Sequence, residues 1–138
     1  MNAPSPLYTR DILRLAASVE PYEPLPRTDG EAELRSPTCG SRVKVAVMLD
    51  DGRVTALAQK VEACAFGQAA AALMAEAAPG SDLAEARVAL AGVEAWLGGD
   101  AAAAPRLAHL EPARGRPGRH GAILLPFRAL VAAIEDAA

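Results

Sequence analysis

Cys39 stands in a Pro-Thr-Cys-Gly-Ser turn just ahead of an alternating run, and Cys64 follows the next such run and opens an Ala-rich stretch. A thiol at a helix N-terminus meets the positive end of the helix dipole, which favours the thiolate, the form that binds metals and accepts sulfur. The turn amides around Cys39 offer a similar environment. The two cysteines are 25 residues apart in sequence. A hairpin between them would return the chain to the end of the sheet from which it left, so both thiols can converge there. Three chemistries fit such a pair. It can be a metal or sulfur site, a reversible disulfide if the Cα atoms lie within about 7 Å, or two inert buried thiols. His120, in "GRPGRHG", offers an imidazole for the first of these, against the plain alternative of a solvated histidine beside arginines. His109, in an Ala-Leu turn, reads as structural, and Asp50 and Asp51 read as turn residues with no convergent partner. No GxSxG, HExxH or P-loop pattern is present, so the expectation is a binding protein and not an enzyme.

The elements that must position these residues follow from periodicity. Tyr8–Val19 places Ile12, Leu13, Leu15, Ala16 and Val19 on one helical stripe, with Thr9 as cap and Asp11 near the positive end. "EPYEPLPRTDGE" is a Pro-rich tether. From Glu31 the period is two. "EAELRS" is a short strand, and Val43, Val45 and Val47 alternate along a second. Asp50-Asp51-Gly52 then turns the chain into a third carrying Val54, Leu57 and Val61. "FGQAAAALMAEAA" is a helix ended by Pro79-Gly80, and Ser81-Asp82 caps the helix that ends at Gly98-Gly99. The segment 100–121 is predicted as a loop with one helical turn around Leu107, and the last regular helix to begin near Leu125, because Pro126 is tolerated only in a first turn. The order predicts an α+β fold: an N-terminal helix, a three-stranded antiparallel sheet, and helices packed on one face. One domain over 1–138 is expected, divided into helix and tether (1–30), sheet (31–63) and a helical part (64–138).

Composition narrows the function. Of 138 residues 51% are hydrophobic but only 4% aromatic, so Ala, Leu and Val must build the core. The net charge of −3 argues against a general nucleic-acid binder and against affinity for membrane surfaces. No segment reaches the roughly 18 apolar residues of a membrane span. The charged N-terminal stretch is a poor signal peptide, so a cytoplasmic protein is expected, where thiols stay reduced. Arg106, Arg114, Arg116 and Arg119 form a basic segment suited to an acidic protein surface; it lacks the aromatics of a nucleic-acid groove.

"SPTCGSRVKVAVMLDDGRVTALAQKVEACAFGQAAAALMAE" resembles the NifU N-terminal, IscU and SufU family of iron-sulfur cluster scaffolds. Pro37, Cys39, Gly40, Cys64 and the hairpin between them match its pattern, and Arg119, Leu125 and Leu130 match its closing run. The likeness runs from about Glu31 to the C-terminus, with the long segment after Cys64 closer to the SufU branch. It implies the SufE/IscU-like fold and a role in iron-sulfur cluster assembly. The cargo would be a transient Fe-S cluster or zinc, or sulfur accepted through Cys39 and Cys64. The partners would be a cysteine desulfurase and recipient apo-proteins. The departures are specific. Ser41 stands at the family's aspartate, Ala122 at its third cysteine, and Gly121 at its histidine, with His120 one place earlier. Gly67, Ala69 and Ala70 replace its small polar run after the second cysteine, and only Pro117 and Arg119 remain of its chaperone-docking run. Tetrahedral zinc or a [2Fe–2S] cluster takes four ligands. The resemblance therefore implies Cys39 and Cys64 as ligands with Ser41 and His120 as auxiliaries. A degenerate adaptor without cluster chemistry, or a thiol/disulfide pair, remains the alternative.

Overall fold

The computed structural model describes residues 8–37 and 40–137. Helix α1 (Arg10–Ala17) starts where Thr9 Oγ1 accepts the Ile12 N–H at 3.2 Å. Eight residues are too few to hold a helix alone, so it depends on Ile12, which is fully buried, and on contact with helix α2 (Ala65–Ala77). Leu13, expected on the buried stripe, is instead half exposed.

The Pro-rich segment is pinned to the sheet. The Asp29 N–H donates to the Val47 carbonyl (2.9 Å), and the Asp29 carboxylate accepts both the Leu49 N–H (2.8 Å) and the Arg27 guanidinium (2.9 Å). The carboxyl is accordingly held below its ordinary range, first by Arg27 and then by the Leu49 amide.

Strands β1 (Gly30–Arg35), β2 (Arg42–Asp50) and β3 (Arg53–Glu62) form one antiparallel sheet in the order β1-β2-β3. Asp51 and Gly52 both take positive φ (53° and 77°), the two-residue turn whose twist suits a hairpin. Val54 and Leu57 share the core face despite their odd spacing. The pairing shifts from Leu49↔Val54 to Met48↔Ala56, which leaves Thr55 as a bulge. Without that extra residue Lys60 would stand opposite Val43 and face the core. With it, Lys60 stands opposite Lys44 on the outer face.

Helices cover the inner face only, as the α+β expectation requires. Helix α2 is buried almost all round, and its run Ala69–Ala72 lets neighbours approach closely. Helix α3 (Leu83–Leu97) is capped by Asp82, whose carboxylate accepts the Glu85 N–H at 2.8 Å while Glu85 reaches back to the Asp82 N–H. A 3₁₀ turn (Pro105–Leu110), centred as expected on buried Leu107, and a short helix α4 (Glu111–Arg114) lead to helix α5 (Pro117–Asp136). Helix α5 begins eight residues before the expected start. Pro117 sits at its first position, where no N–H is needed. Pro126 lies inside and leaves the Ala122 carbonyl without its usual donor. Burial of Ala122, Ile123, Leu125, Phe127 and Leu130 carries the helix through that cost. No helix among the described residues is long and apolar enough to cross a membrane.

Candidate thiol site

Three pieces of chain meet at the end of the sheet away from the Asp51-Gly52 turn. β1 ends there at Arg35, β2 begins there at Arg42, and β3 ends there at Glu62; Arg42 pairs with both Arg35 and Glu62 in the register. Arg42 binds the Glu62 carboxylate at 2.6 Å and reaches Glu33 at 3.6 Å, and this guanidinium lowers the Glu62 pKa below the ordinary carboxylate range. The connection between β1 and β2 is drawn tight. The Ser36 N–H donates to the Ser41 carbonyl (2.8 Å) and the Gly40 N–H to the Ser36 carbonyl (3.1 Å). Cys39 itself lies outside the described residues. Ser41, the auxiliary ligand expected beside it, is 4% exposed.

Cys64 is where the sequence places it, as the N-cap of α2, two residues past β3. Its thiol is free and half buried, and its side chain makes no capping hydrogen bond. One turn further on, Gly67 meets α5. A Cβ on Gly67 would come within 2.6 Å of the Ala63 Cβ and 3.2 Å of the Ala122 Cβ. Only glycine fits this contact without displacing a neighbour. It also places Ala122, 1% exposed, against Gly67, itself three residues after Cys64 in the chain. Ala122, where the resemblance expects a third thiol, contributes a methyl group to this contact.

His120 lies two residues before Ala122, in the first turn of α5 and not in a loop. It is half buried, and its Nε2 lies 2.7 Å from the Arg114 carbonyl. A carbonyl only accepts, so the neutral imidazole carries its proton on Nε2 and keeps the Nδ1 lone pair. A backbone carbonyl on the far nitrogen is the partner that metal-binding histidines use. Arg114 is itself fixed. Its guanidinium lies 4.3 Å from the Trp96 ring centroid and 3.1 Å from Glu111, with Nε and Nη2 buried. Sequence reasoning counted Arg114 in an exposed basic segment. The structure turns it inward and brings Arg106 to 3.9 Å from Glu76, so among the described residues the cations of that segment without an ion pair are Arg116 and Arg119. His109 is exposed and faces Asp11 at 3.5 Å.

The described residues bring together no group of three or more His, Cys, Asp or Glu side chains that could hold a metal. Helices α2 and α5 meet at Gly67 and Ala122; Cys64 caps the start of the first and His120 lies in the first turn of the second.

This arrangement has close relatives. The chain matches the family model for the NifU-like N terminal domain over residues 11–111. The structure superposes on a nitrogen-fixing NifU-like protein (N-terminal) from Brucella abortus with a TM-score of 0.85 and 33% identity, covering 95% of this chain and 94% of that one. A putative iron-sulfur cluster assembly scaffold protein for the SUF system from the thermophilic Fervidobacterium islandicum AW-1 shares the fold, with a TM-score of 0.81, 20% identity, and coverage of 93% and 96%. No curated protein matches the chain. The fold is that of the NifU- and SufU-type scaffolds, and the chain belongs to the NifU-like N-terminal domain family.

Proposed function

We propose that this protein works in iron-sulfur cluster assembly, with Cys39 and Cys64 as the thiols that accept sulfur or hold a transient Fe-S cluster or zinc as cargo. The observation that carries the reading is Cys64 at the α2 N-cap, half buried and uncapped, at the sheet end where the β1–β2 connection also closes. Family membership supports it. In sulfur transfer, a thiolate of this chain attacks the outer sulfur of a cysteine desulfurase persulfide. The new S–S bond forms on this chain, and the electron pair of the broken bond leaves with the desulfurase thiolate. Recipient apo-proteins would take the sulfur or cluster onward. His120 and Ser41 serve as auxiliaries, the first through its free Nδ1.

Ala122 favours transfer over long retention, since a methyl group stands where the family offers a third thiolate. The test is metal and sulfide analysis after anaerobic reconstitution, with mass spectrometry of persulfide after incubation with a desulfurase. Cys39→Ser and Cys64→Ser serve as controls. Persulfide or cargo lost in either variant supports the proposal. Wild-type protein that takes up neither metal nor sulfur overturns it in favour of an adaptor, and a stoichiometric Cys39–Cys64 disulfide under mild oxidation points to a redox pair.

A further inference from the structure

The sheet has two edge strands, and the fold treats them differently. On β3, Val54 donates to the Ser81 carbonyl (3.0 Å) and accepts the Gly80 N–H (2.8 Å), while Ala58 and Gln59 are 8% and 7% exposed. β1 is left open. The Ser36 N–H reaches back to Ser41 (2.8 Å), and backbone groups alternate in direction along a strand. Ala32 and Leu34 therefore face β2, and the backbone groups of Glu31, Glu33 and Arg35 point away from the sheet. The Asp136 carboxylate takes the outward N–H of Glu31 at 3.0 Å. Among the described residues nothing takes the outward N–H or carbonyl of Glu33 or Arg35, and both residues are exposed. Pro37, just beyond, has no N–H to offer. The charges at this edge are also loosely held. Arg35 makes no ion pair among the described residues, and Glu33 meets Arg42 only at 3.6 Å, because that guanidinium holds Glu62 at 2.6 Å.

We propose that this edge pairs with the same edge of a second copy of the chain, antiparallel about Leu34, joining two three-stranded sheets into one of six strands. An unpaired strand edge is a template for another strand, and the order of charges selects which strand. About Leu34, Glu33 of each copy stands opposite Arg35 of the other. These are the two residues whose outward groups are open, so four backbone hydrogen bonds and two opposite-charge pairs form together. Leu34, half-buried, meets its own copy at the centre, in the non-hydrogen-bonded position where side chains lie closest. A slip of two residues either way sets Glu33 against Glu33 or Arg35 against Arg35, which like-charge repulsion penalises. It also brings in Glu31 or Pro37, neither of which has an N–H to give. The edge thus fits itself in one register and resists the slipped ones. The two-fold pairing uses up both open edges and leaves the β3 strands outermost, so assembly stops at two copies. So short an interface makes a reversible dimer, with a Kd on the order of 10⁻⁴ M. The pairing rests on the edge and not on what the thiols carry.

The test is sedimentation equilibrium of the full chain under reducing conditions, from about 10 μM to about 1 mM, a range that brackets that constant. The wild type should pass from monomer to dimer across it. Glu33→Arg and Arg35→Glu each turn both cross-strand pairs into repulsions, and each should weaken the dimer by at least about tenfold. Mixed in equal amounts, the two variants should pair with each other at about the wild-type strength, because each supplies the charges the other needs. That rescue separates lost pairing from lost folding, since a misfolded variant would not regain a partner. A wild type that stays monomeric throughout would overturn the proposal. So would a dimer indifferent to both single variants, or a mixture that associates no more tightly than its components.

Discussion

Cys64 and Asp82 occupy the same position in two successive helices and have the same extended backbone, with ψ of 172° and −178°. Asp82 does what an N-cap does for stability. It accepts the Glu85 N–H, and its helix start is tied to the hairpin tip through Ser81 to Val54 and Arg53 to Glu85. Cys64 makes no capping bond, and α2 is held instead by burial and by its contact with α5 at Gly67 and Ala122. A thiol is a poor cap. Its presence at the one uncapped start of these two marks a position whose residue type does not serve the start of its helix.

The comparison breaks most visibly at Gly67. Gly67→Val should cost about 1–3 kcal/mol by overpacking, because the new side chain starts within 2.6 Å of Ala63; chemical denaturation reads this directly, and an unchanged midpoint would mean that α2 and α5 do not meet here. Asp82→Ala should cost about 1 kcal/mol through the lost cap and should loosen the hairpin tip, seen as faster amide exchange at Val54. A smaller effect is expected from Asp29, which holds β2 at that same tip. Its folded pKa is depressed by Arg27 and by the Leu49 amide. Its contribution is therefore complete above the ordinary carboxylate range and is lost as pH falls through the folded value. Asp29→Asn should flatten the acid limb of the stability profile and leave the alkaline limb as it is; Glu62→Gln should do the same at the thiol end, where Arg42 depresses Glu62.

Much of this was legible in the sequence, for local reasons. Thr9, Asp82 and Asp51-Gly52 act through their own backbone neighbourhoods, so their roles follow from residue type. The odd spacing of Val54 and Leu57 already encodes the bulge, and with it the Lys44–Lys60 pair, but only the register shows which residue is extra. The start of α5 was not legible. Gly118, Gly121 and Pro126 all argue against a helix, and what overrides them is burial of Ala122, Ile123 and Phe127 against other elements. The inward turn of Arg114 depends on Trp96, eighteen residues away in sequence and stacked beneath it only in the fold. Of the expected site, Cys64 and its helix start were legible. The carbonyl partner of His120 required the early start of α5 and was not.

The smallest expected effect on stability sharpens the comparison furthest. Cys64→Ser exchanges a thiol for a hydroxyl of similar size at an N-cap. Serine is among the best residues there, because its oxygen accepts an amide of the first turn, a bond Cys64 does not make. The substitution should therefore leave the denaturation midpoint unchanged or raise it, by at most about 1 kcal/mol, while sulfur acceptance and cargo binding fall. Cys64→Ala controls for the cap and should match the wild type in stability, since the native residue caps nothing. If Cys64→Ser instead destabilised the protein by the amount that Asp82→Ala does, the thiol would be a packing residue of the α2–α5 junction, and the difference between the two helix starts would carry no chemical meaning. If stability holds and transfer fails, the sequence has forgone a cap at α2 for the sake of the thiol.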